Sequence, residues 1–247
     1  MQHIVIIGAT SCIAEHCARE WVSASAVHLT LVGRDLAKTE RVAQDLRVRN
    51  PQAKVDAVTL DFLEAATIEA WVSALTQRTP VDVVLIAHGV LADQSQCQTS
   101  LLACEAALHV NGVSPVLFAE AFAKPMTHAN HGTIAIIGSV AGDRGRQSNY
   151  VYGAAKGLVA RYAQGMQHRL ANTAVRVVLI KPGPTDTPMT QALKAQGQKM
   201  ASPEQVAHEI VNGIRAGKPV VYSPGIWRII MWVVMHLPRF VFDKLRI

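Results

Sequence analysis

Short apolar runs recur along this chain, separated by stretches in which apolar residues return every three or four positions. The runs at 4–7, 28–32, 55–60, 81–87, 133–137, 175–180 and 219–222 are too short for helices. They are rich in valine and isoleucine, as strands buried on both faces require. The stretches 15–22, 36–49 and 67–78 carry the helical period. Strand alternating with helix predicts an α/β fold, a doubly wound Rossmann-type sheet, mostly parallel, with helices on both faces. The 247 residues sit near the upper size for one core, and half of them are apolar, enough for a single domain to cover such a sheet. The chain shows no internal repeat, low-complexity tract or interdomain linker.

The first run leads into Gly8-Ala-Thr-Ser-Cys-Ile-Ala14 and then a helical stretch. Strand, glycine turn and helix is the order that sets a pyrophosphate on a helix N-terminus. Gly8 allows the sharp turn, and Thr10 and Ser11 offer hydroxyls and N–H groups. Cys12 and Ala14 stand where a fuller glycine fingerprint has glycine, so the turn by itself reads equally well as a plain βα connection. Further on, Ser139, Tyr152 and Lys156 are spaced Ser-x12-Tyr-x3-Lys. Positions i and i+4 share a helix face, which puts the lysine ammonium near the phenol. A phenol titrates near pH ~10, and a neighbouring cation lowers that value by roughly 1–3 units, toward the range useful for acid–base catalysis. The serine, at a strand end, would orient a reacting oxygen. A Tyr-x3-Lys pair alone is equally a packed tyrosine beside a surface lysine.

The two motifs occur in one chain with three more between and after them: Val83-Val-Leu-Ile-Ala-His-Gly89, Asn111 in Val110-Asn-Gly-Val-Ser-Pro115 on a predicted helix, and Lys181-Pro-Gly-Pro-Thr-Asp-Thr187. Together they resemble the short-chain dehydrogenase/reductase family, from about Ile4 to Thr187 and more weakly to Val221. The resemblance implies an oxidoreductase that moves a hydride between a nicotinamide and a ketone or secondary alcohol. It implies Tyr152 as the acid, Lys156 as the residue that lowers the tyrosine pKa and holds the nicotinamide ribose, Ser139 as the orienter of the substrate oxygen, and Asn111 as the holder of a relay water. Gly8, Thr10, Ser11, Ile13 and Ala14 would line the dinucleotide turn. Asp61 would bond the adenine amino group and Thr187 the carboxamide, with Gly89, Pro182, Gly183, Tyr152 and Lys156 completing the cofactor site. Tyr150 lies off the lysine's face and is the weaker candidate for the acid. His88, where the family has alanine, reads as a packing histidine.

Charge refines the cofactor. The second predicted strand ends in Gly33-Arg34-Asp35. An arginine there pairs with a 2′-phosphate, whereas an acid would bond the ribose hydroxyls of NAD. NADP(H) is therefore favoured, and Asp35 keeps NAD(H) open. Cys12, Cys17, Cys97 and Cys104 form no Cys-x-x-Cys pair and the histidines are scattered, so no metal site is expected. Without a signal-peptide pattern, the cysteines read as reduced thiols of a cytoplasmic protein. The basic residues are dispersed, which argues against nucleic acid as a partner; a homo-oligomer is the family default.

Residues 1–225 thus read as the Rossmann-type dinucleotide-binding catalytic domain, and residues 226–247 as a separate aromatic and basic tail. The tail's uninterrupted apolar run, 229–235, is far short of the ~20 residues of a membrane span. Trp227, Trp232, Phe240 and Phe242 among basic residues resemble a segment lying on a bilayer; packing on the chain's own core or on another subunit is the other reading. The tail, the Gly-Ala-Thr-Ser-x-Ile-Ala turn and the segment 139–153 are similar to the decaprenylphosphoryl-2-keto-ribose reductase branch of the family. That likeness implies a keto-sugar on a polyprenyl phosphate, met at the inner face of the cytoplasmic membrane, with Arg144 and Arg146 taking its phosphate. The alternatives are another lipid or soluble ketone (acyl, steroid or xenobiotic) and a cofactor-binding sensor or scaffold without turnover.

Overall fold

The computed structural model describes residues 1–245. Seven strands, β1 (Gln2–Ile7), β2 (Val27–Gly33), β3 (Lys54–Thr59), β4 (Val83–Ile86), β5 (Thr133–Ile137), β6 (Arg176–Pro182) and β7 (Val220–Ser223), form one sheet in the order β3-β2-β1-β4-β5-β6-β7. Every pairing is parallel. Successive strand side chains point to opposite faces. In β1, Ile4 and Ile6 therefore join one core while Val5 and Ile7 join the other. Both faces are buried, which is why the strand is apolar without alternation.

Helices α1 (Cys12–Ala24), α2 (Leu36–Arg49) and α9 (Pro203–Arg215) cover the first face. Helices α3 (Ala65–Arg78), α6 (Ser114–Ala129) and α7 (Tyr150–Arg169) cover the second. The short α4 (Gln94–Thr99), α5 (Leu101–Leu108) and α8 (Gln191–Ala195) lie between them in sequence. The helical run Leu101–Ala129 is long and apolar enough to cross a bilayer by length and composition. In this fold, however, Phe118, Ala119, Phe122, Ala123 and Met126 of that run are spent in the core. Residues 226–245 form α10 (Trp227–His236) and α11 (Arg239–Phe242) beyond the last strand.

The predicted strands and helices are all present, with ends shifted by at most three residues. One element differs in kind. Asn111 lies in a π-helical turn, His109–Val113, between α5 and α6. Pro115 has no N–H to return to the carbonyl of Asn111 one turn earlier. The Asn111 side chain, meanwhile, donates to Ala107 O at 2.9 Å, replacing a backbone bond that the widened turn gives up.

Sheet order reverses between β1 and β4. At such a switch point the loops leave in opposite directions and open a crevice at the carboxyl ends of the strands. All the motif residues lie at that end.

Candidate active site

A cleft of about 350 Å³ opens at the ends of β1, β2 and β4. Gly8, Thr10, Ser11 and Ile13 line one side, and Arg34, Lys38, Gly89 and Thr187 stand around the rest. Gly8 has φ +82°, and a Cβ there would fall 2.7 Å from the backbone nitrogen of His88. Only glycine allows the β1 and β4 turns to come this close.

Two helix starts beside this cleft are built differently. Asp35 caps α2 and accepts the N–H of Lys38 at 3.0 Å. This hydrogen bond holds the Asp35 carboxyl below its usual range, together with the nearby Lys38 charge. Ser11 stands at the N-cap of α1 with no side-chain capping bond. The first N–H groups of α1 therefore lack an intrahelical partner, beside a free hydroxyl and two cations. This donor set fits the phosphates of a dinucleotide. Arg34 was expected here from the sequence, and Lys38 was missed. The signal for Lys38 was its place in the first turn of α2, from which a long side chain reaches back to the end of β2.

A smaller cavity of about 100 Å³ continues from the cleft and shares Ser11, Ile13, His88, Gly89 and Thr187 with it. Ser139, Tyr152, Lys156, Pro182 and Gly183 line it. The fold thus brings the end of β5, one face of α7 and the end of β6 to one small space. Ser139 sits where β5 hands over to a 3₁₀ turn, and its Oγ accepts the N–H of Ala141 at 3.1 Å. Lys156 is buried, donates to Ile137 O at 2.9 Å and lies 5.8 Å from the centre of the Tyr152 ring. Burial lowers the lysine from its ordinary 10.5 to about 8. Tyr150 begins α7 at the surface, 45% exposed.

The expected lowering of the Tyr152 pKa does not hold in this structure. Burial raises it, and a hydrogen bond with Ser139 opposes that rise. The ammonium points to a carbonyl rather than to the phenol oxygen, so desolvation wins. Asn111 is fully buried, and its Oδ1 accepts the N–H of Val90 at 2.8 Å. It thereby ties the turn after β4 to the π-helical turn.

His88 packs as expected, against Phe62 and Phe118. Its Nε2 lies 2.8 Å from Ser114 Oγ, which donates its own hydrogen to Phe62 O. The imidazole must then carry its proton on Nε2. Burial, with Lys156 and Arg34 nearby, depresses His88 to about 3.

Four expected residues stand elsewhere. Ala14 is wholly buried in α1, packing on the sheet. Asp61 is exposed and accepts the N–H of Leu63 at 2.8 Å, while its neighbours Phe62 and Leu63 line the cleft. Arg146 has a buried Nε with no partner, and burial lowers its pKa. Arg144 differs most from expectation. Its guanidinium donates to the carbonyls of Val234 and Leu237 at the end of α10 and lies over the Phe242 ring at 3.7 Å. Neither arginine lines the cleft or the cavity. A helix C-terminus offers unpaired carbonyls, and the tail supplies them before any substrate phosphate.

Two contacts beside the cavity were not legible in the sequence. Lys181 and Asp143 form a buried ion pair, and Tyr222 donates to the same carboxylate at 2.9 Å. A Cβ on Gly183 would fall 2.0 Å from Trp227 Nε1, so the first residue of α10 rests on backbone that lines the cavity.

Residues 2–198 match the family model described as short chain dehydrogenase. An uncharacterised oxidoreductase of Streptomyces coelicolor is 29% identical over 242 residues, 98% of this chain and 95% of that protein. One of Mycobacterium tuberculosis is 30% identical over 243 residues, 98% and 96% of the two chains. Among solved structures, a short-chain dehydrogenase from Sphingobium yanoikuyae in complex with NADPH superposes with a TM-score of 0.83 at 20% identity, covering 100% of this chain and 97% of that one. A single-residue variant of actinorhodin polyketide ketoreductase with NADPH gives 0.80 at 20% identity, over 90% and 95%.

Proposed function

The chain belongs to the short-chain dehydrogenase family and is an oxidoreductase; on that premise we propose that it reduces a ketone to a secondary alcohol with NADPH, Tyr152 serving as the acid. One observation carries the reading: Ser139, Tyr152 and Lys156 line a single small cavity that continues a cleft suited to a dinucleotide. When bound, the nicotinamide supplies the hydride to the carbonyl carbon.

The chain's own residues handle the oxygen. The hydroxyls of Ser139 and Tyr152 converge on the space a carbonyl oxygen would fill. Tyr152 donates its proton there, and the raised pKa keeps that proton in place until negative charge develops on the oxygen. The ammonium of Lys156 then opposes the charge left on the phenol. The Asn111 carbonyl, without its ordinary helical donor, holds the relay water that renews the proton. Arg34 and Lys38 support NADP over NAD, because Asp35 is committed as a helix cap and two cations face the cleft.

For the substrate, the resemblance of the 139–153 segment and of the tail favours a keto-sugar on a polyprenyl phosphate. The cavity wall at Gly183 adjoins the apolar tail through Trp227, where a lipid chain would run. A homo-oligomer joined through exposed Leu101, Leu102 and Leu158 belongs to the same reading. The test is purified protein with NADPH and a panel of ketones that includes a polyprenyl-phosphate keto-sugar, followed by loss of nicotinamide absorbance. Turnover of the lipid-linked sugar well above that of acyl, steroid and small xenobiotic ketones is expected. Preference for one of the others reassigns the substrate. Nucleotide binding without turnover of any ketone makes the protein a sensor or scaffold.

A further inference from the structure

Helix α10 is apolar on two opposite faces. Trp227, Met231 and Val234 turn toward the body of the protein, and Met231 is only 2% exposed. On the other side, Ile229, Trp232 and Val233 follow at the i, i+3, i+4 spacing of one helix face. They face solvent: Ile229 is 62% and Trp232 61% exposed. Phe240 of α11 adds a further side chain at 71%. A helix that is apolar on both sides is ordinarily covered on both.

Charge indicates what covers it. Arg228, Arg239 and Lys244 stand at the surface of the same segment, with Asp243 its one acid among the described residues. A tryptophan and a phenylalanine amid cations suit the boundary between lipid headgroups and acyl chains. The end of the helix is also prepared for a medium poor in water. The C-terminal carbonyls of α10 would be costly to leave unpaired there, and Arg144 satisfies those of Val234 and Leu237.

We infer that the outward face of α10 and α11 docks on the surface of an anionic phospholipid bilayer. The helix lies in the plane of the interface, with Ile229, Trp232, Val233 and Phe240 entering the acyl boundary and Arg228, Arg239 and Lys244 remaining near lipid phosphates. Arg144 is five residues from Ser139 and grips the docked helix, and Trp227 rests on the Gly183 backbone. The docked segment and the cavity are therefore one rigid neighbourhood, which places the cavity mouth beside the lipid. The inference deepens the proposed function by naming a partner surface for the same site, and it stands whichever ketone is turned over.

The test is sedimentation of the full chain with vesicles of phosphatidylcholine alone or mixed in equal parts with phosphatidylglycerol, at low and high salt. Particle mass is measured by light scattering, and turnover of a water-soluble ketone is measured in parallel. Wild-type protein should sediment with the anionic vesicles, and less so at high salt. Arg228→Gln with Arg239→Gln should weaken partitioning by about fivefold per charge removed. Ile229→Ser with Trp232→Ser should weaken it about tenfold or more, with particle mass and soluble-ketone turnover unchanged. Wild-type protein left in the supernatant overturns the inference, as does retention undiminished in the serine variant. A serine variant of lower particle mass, with no vesicle binding by the wild type, assigns the face to a second copy of the chain and also overturns it. Loss of soluble-ketone turnover in the wild type itself would count against the proposed function and not against docking.

Discussion

The two ends of the crevice are built on opposite principles. At the β1–β2 end, polar groups are left open toward the cleft: Ser11 caps nothing, the first N–H groups of α1 have no intrahelical partner, and Arg34 faces the cleft, as does Lys38 with only the exposed Asp35 carboxylate 3.7 Å away. At the β5–β7 end, the protein occupies most of its charged groups itself, although Arg146 Nε and Ser223 Oγ stay buried without a partner. Lys156 takes the carbonyl of Ile137, Asp143 takes Lys181 and Tyr222, and Arg144 takes the end of α10. The first end is prepared to receive charge from outside. The second is held in one arrangement from inside, as a site that must place a proton donor accurately requires. A cation near a cleft is thus no sign of a ligand until the protein's own acceptors have been counted.

If the two ends are separable, damage to one should leave the other intact. The largest effect is expected from Tyr152→Phe: turnover should fall by about 10²–10⁴-fold, the scale for losing a general acid, with NADPH affinity by fluorescence titration unchanged. Tyr150→Phe should be mild in the same assay. A crippled Tyr150→Phe would move the acid to the wrong tyrosine. Next is Asp143→Ala, which strands the buried Lys181 charge. Breaking such a pair costs roughly 3–5 kcal/mol, to be read from urea unfolding, while Arg34→Ala should leave the unfolding midpoint where it was.

The third effect concerns pH. Lys156 titrates at about 8 when folded and at 10.5 ordinarily. Between those values the unfolded chain binds more protons than the folded one, so stability rises with pH across that window. The nucleotide-free protein should therefore gain stability from pH 8 upward. Lys156→Met should flatten the gain, by an amount on the order of a few kcal/mol. An identical slope in the variant would show that the lysine is not the titrating group. The smallest effect is at the open end. Arg34→Ala should lower affinity for NADPH about tenfold or more relative to NADH, the worth of one charge-assisted hydrogen bond. Equal losses for both would make Arg34 a general contact and not a reader of the 2′-phosphate.

The sheet was legible because both its faces are buried and each strand is an apolar run. The Ser139, Tyr152 and Lys156 group was legible because its spacing and order are specific. Position in sequence also carried Gly8, Ser11 and Arg34 to the cleft. It failed for Asp61 and Ala14, which do not line it. It failed again for Arg144, because nothing in a basic residue close to Ser139 in sequence reveals which carbonyls lie within reach. The tail's helix C-terminus is 90 residues further along, and that pairing exists only once the chain is folded. The Tyr152 pKa was misjudged for a related reason. Spacing gives the presence of a nearby lysine, while burial and the lysine's own hydrogen bond decide what it does. The π-helical turn at Asn111 follows from Pro115 and is visible in the sequence in hindsight.

The clamp between Arg144 and α10 has a consequence for the order in which the protein is made. A ribosome releases the β1–β4 half of the sheet long before it reaches the tail, and segments begin to fold as they emerge. The strands and turns of the nucleotide end can therefore begin to assemble while synthesis continues, and Thr187 and helix α9, which packs on α1, join them later but still before the tail. The loop after Ser139, by contrast, lacks its last anchor until residues 234–237 leave the exit tunnel. The catalytic end is completed only after that, so the maturing protein is ready to hold a nucleotide before it is ready to use one.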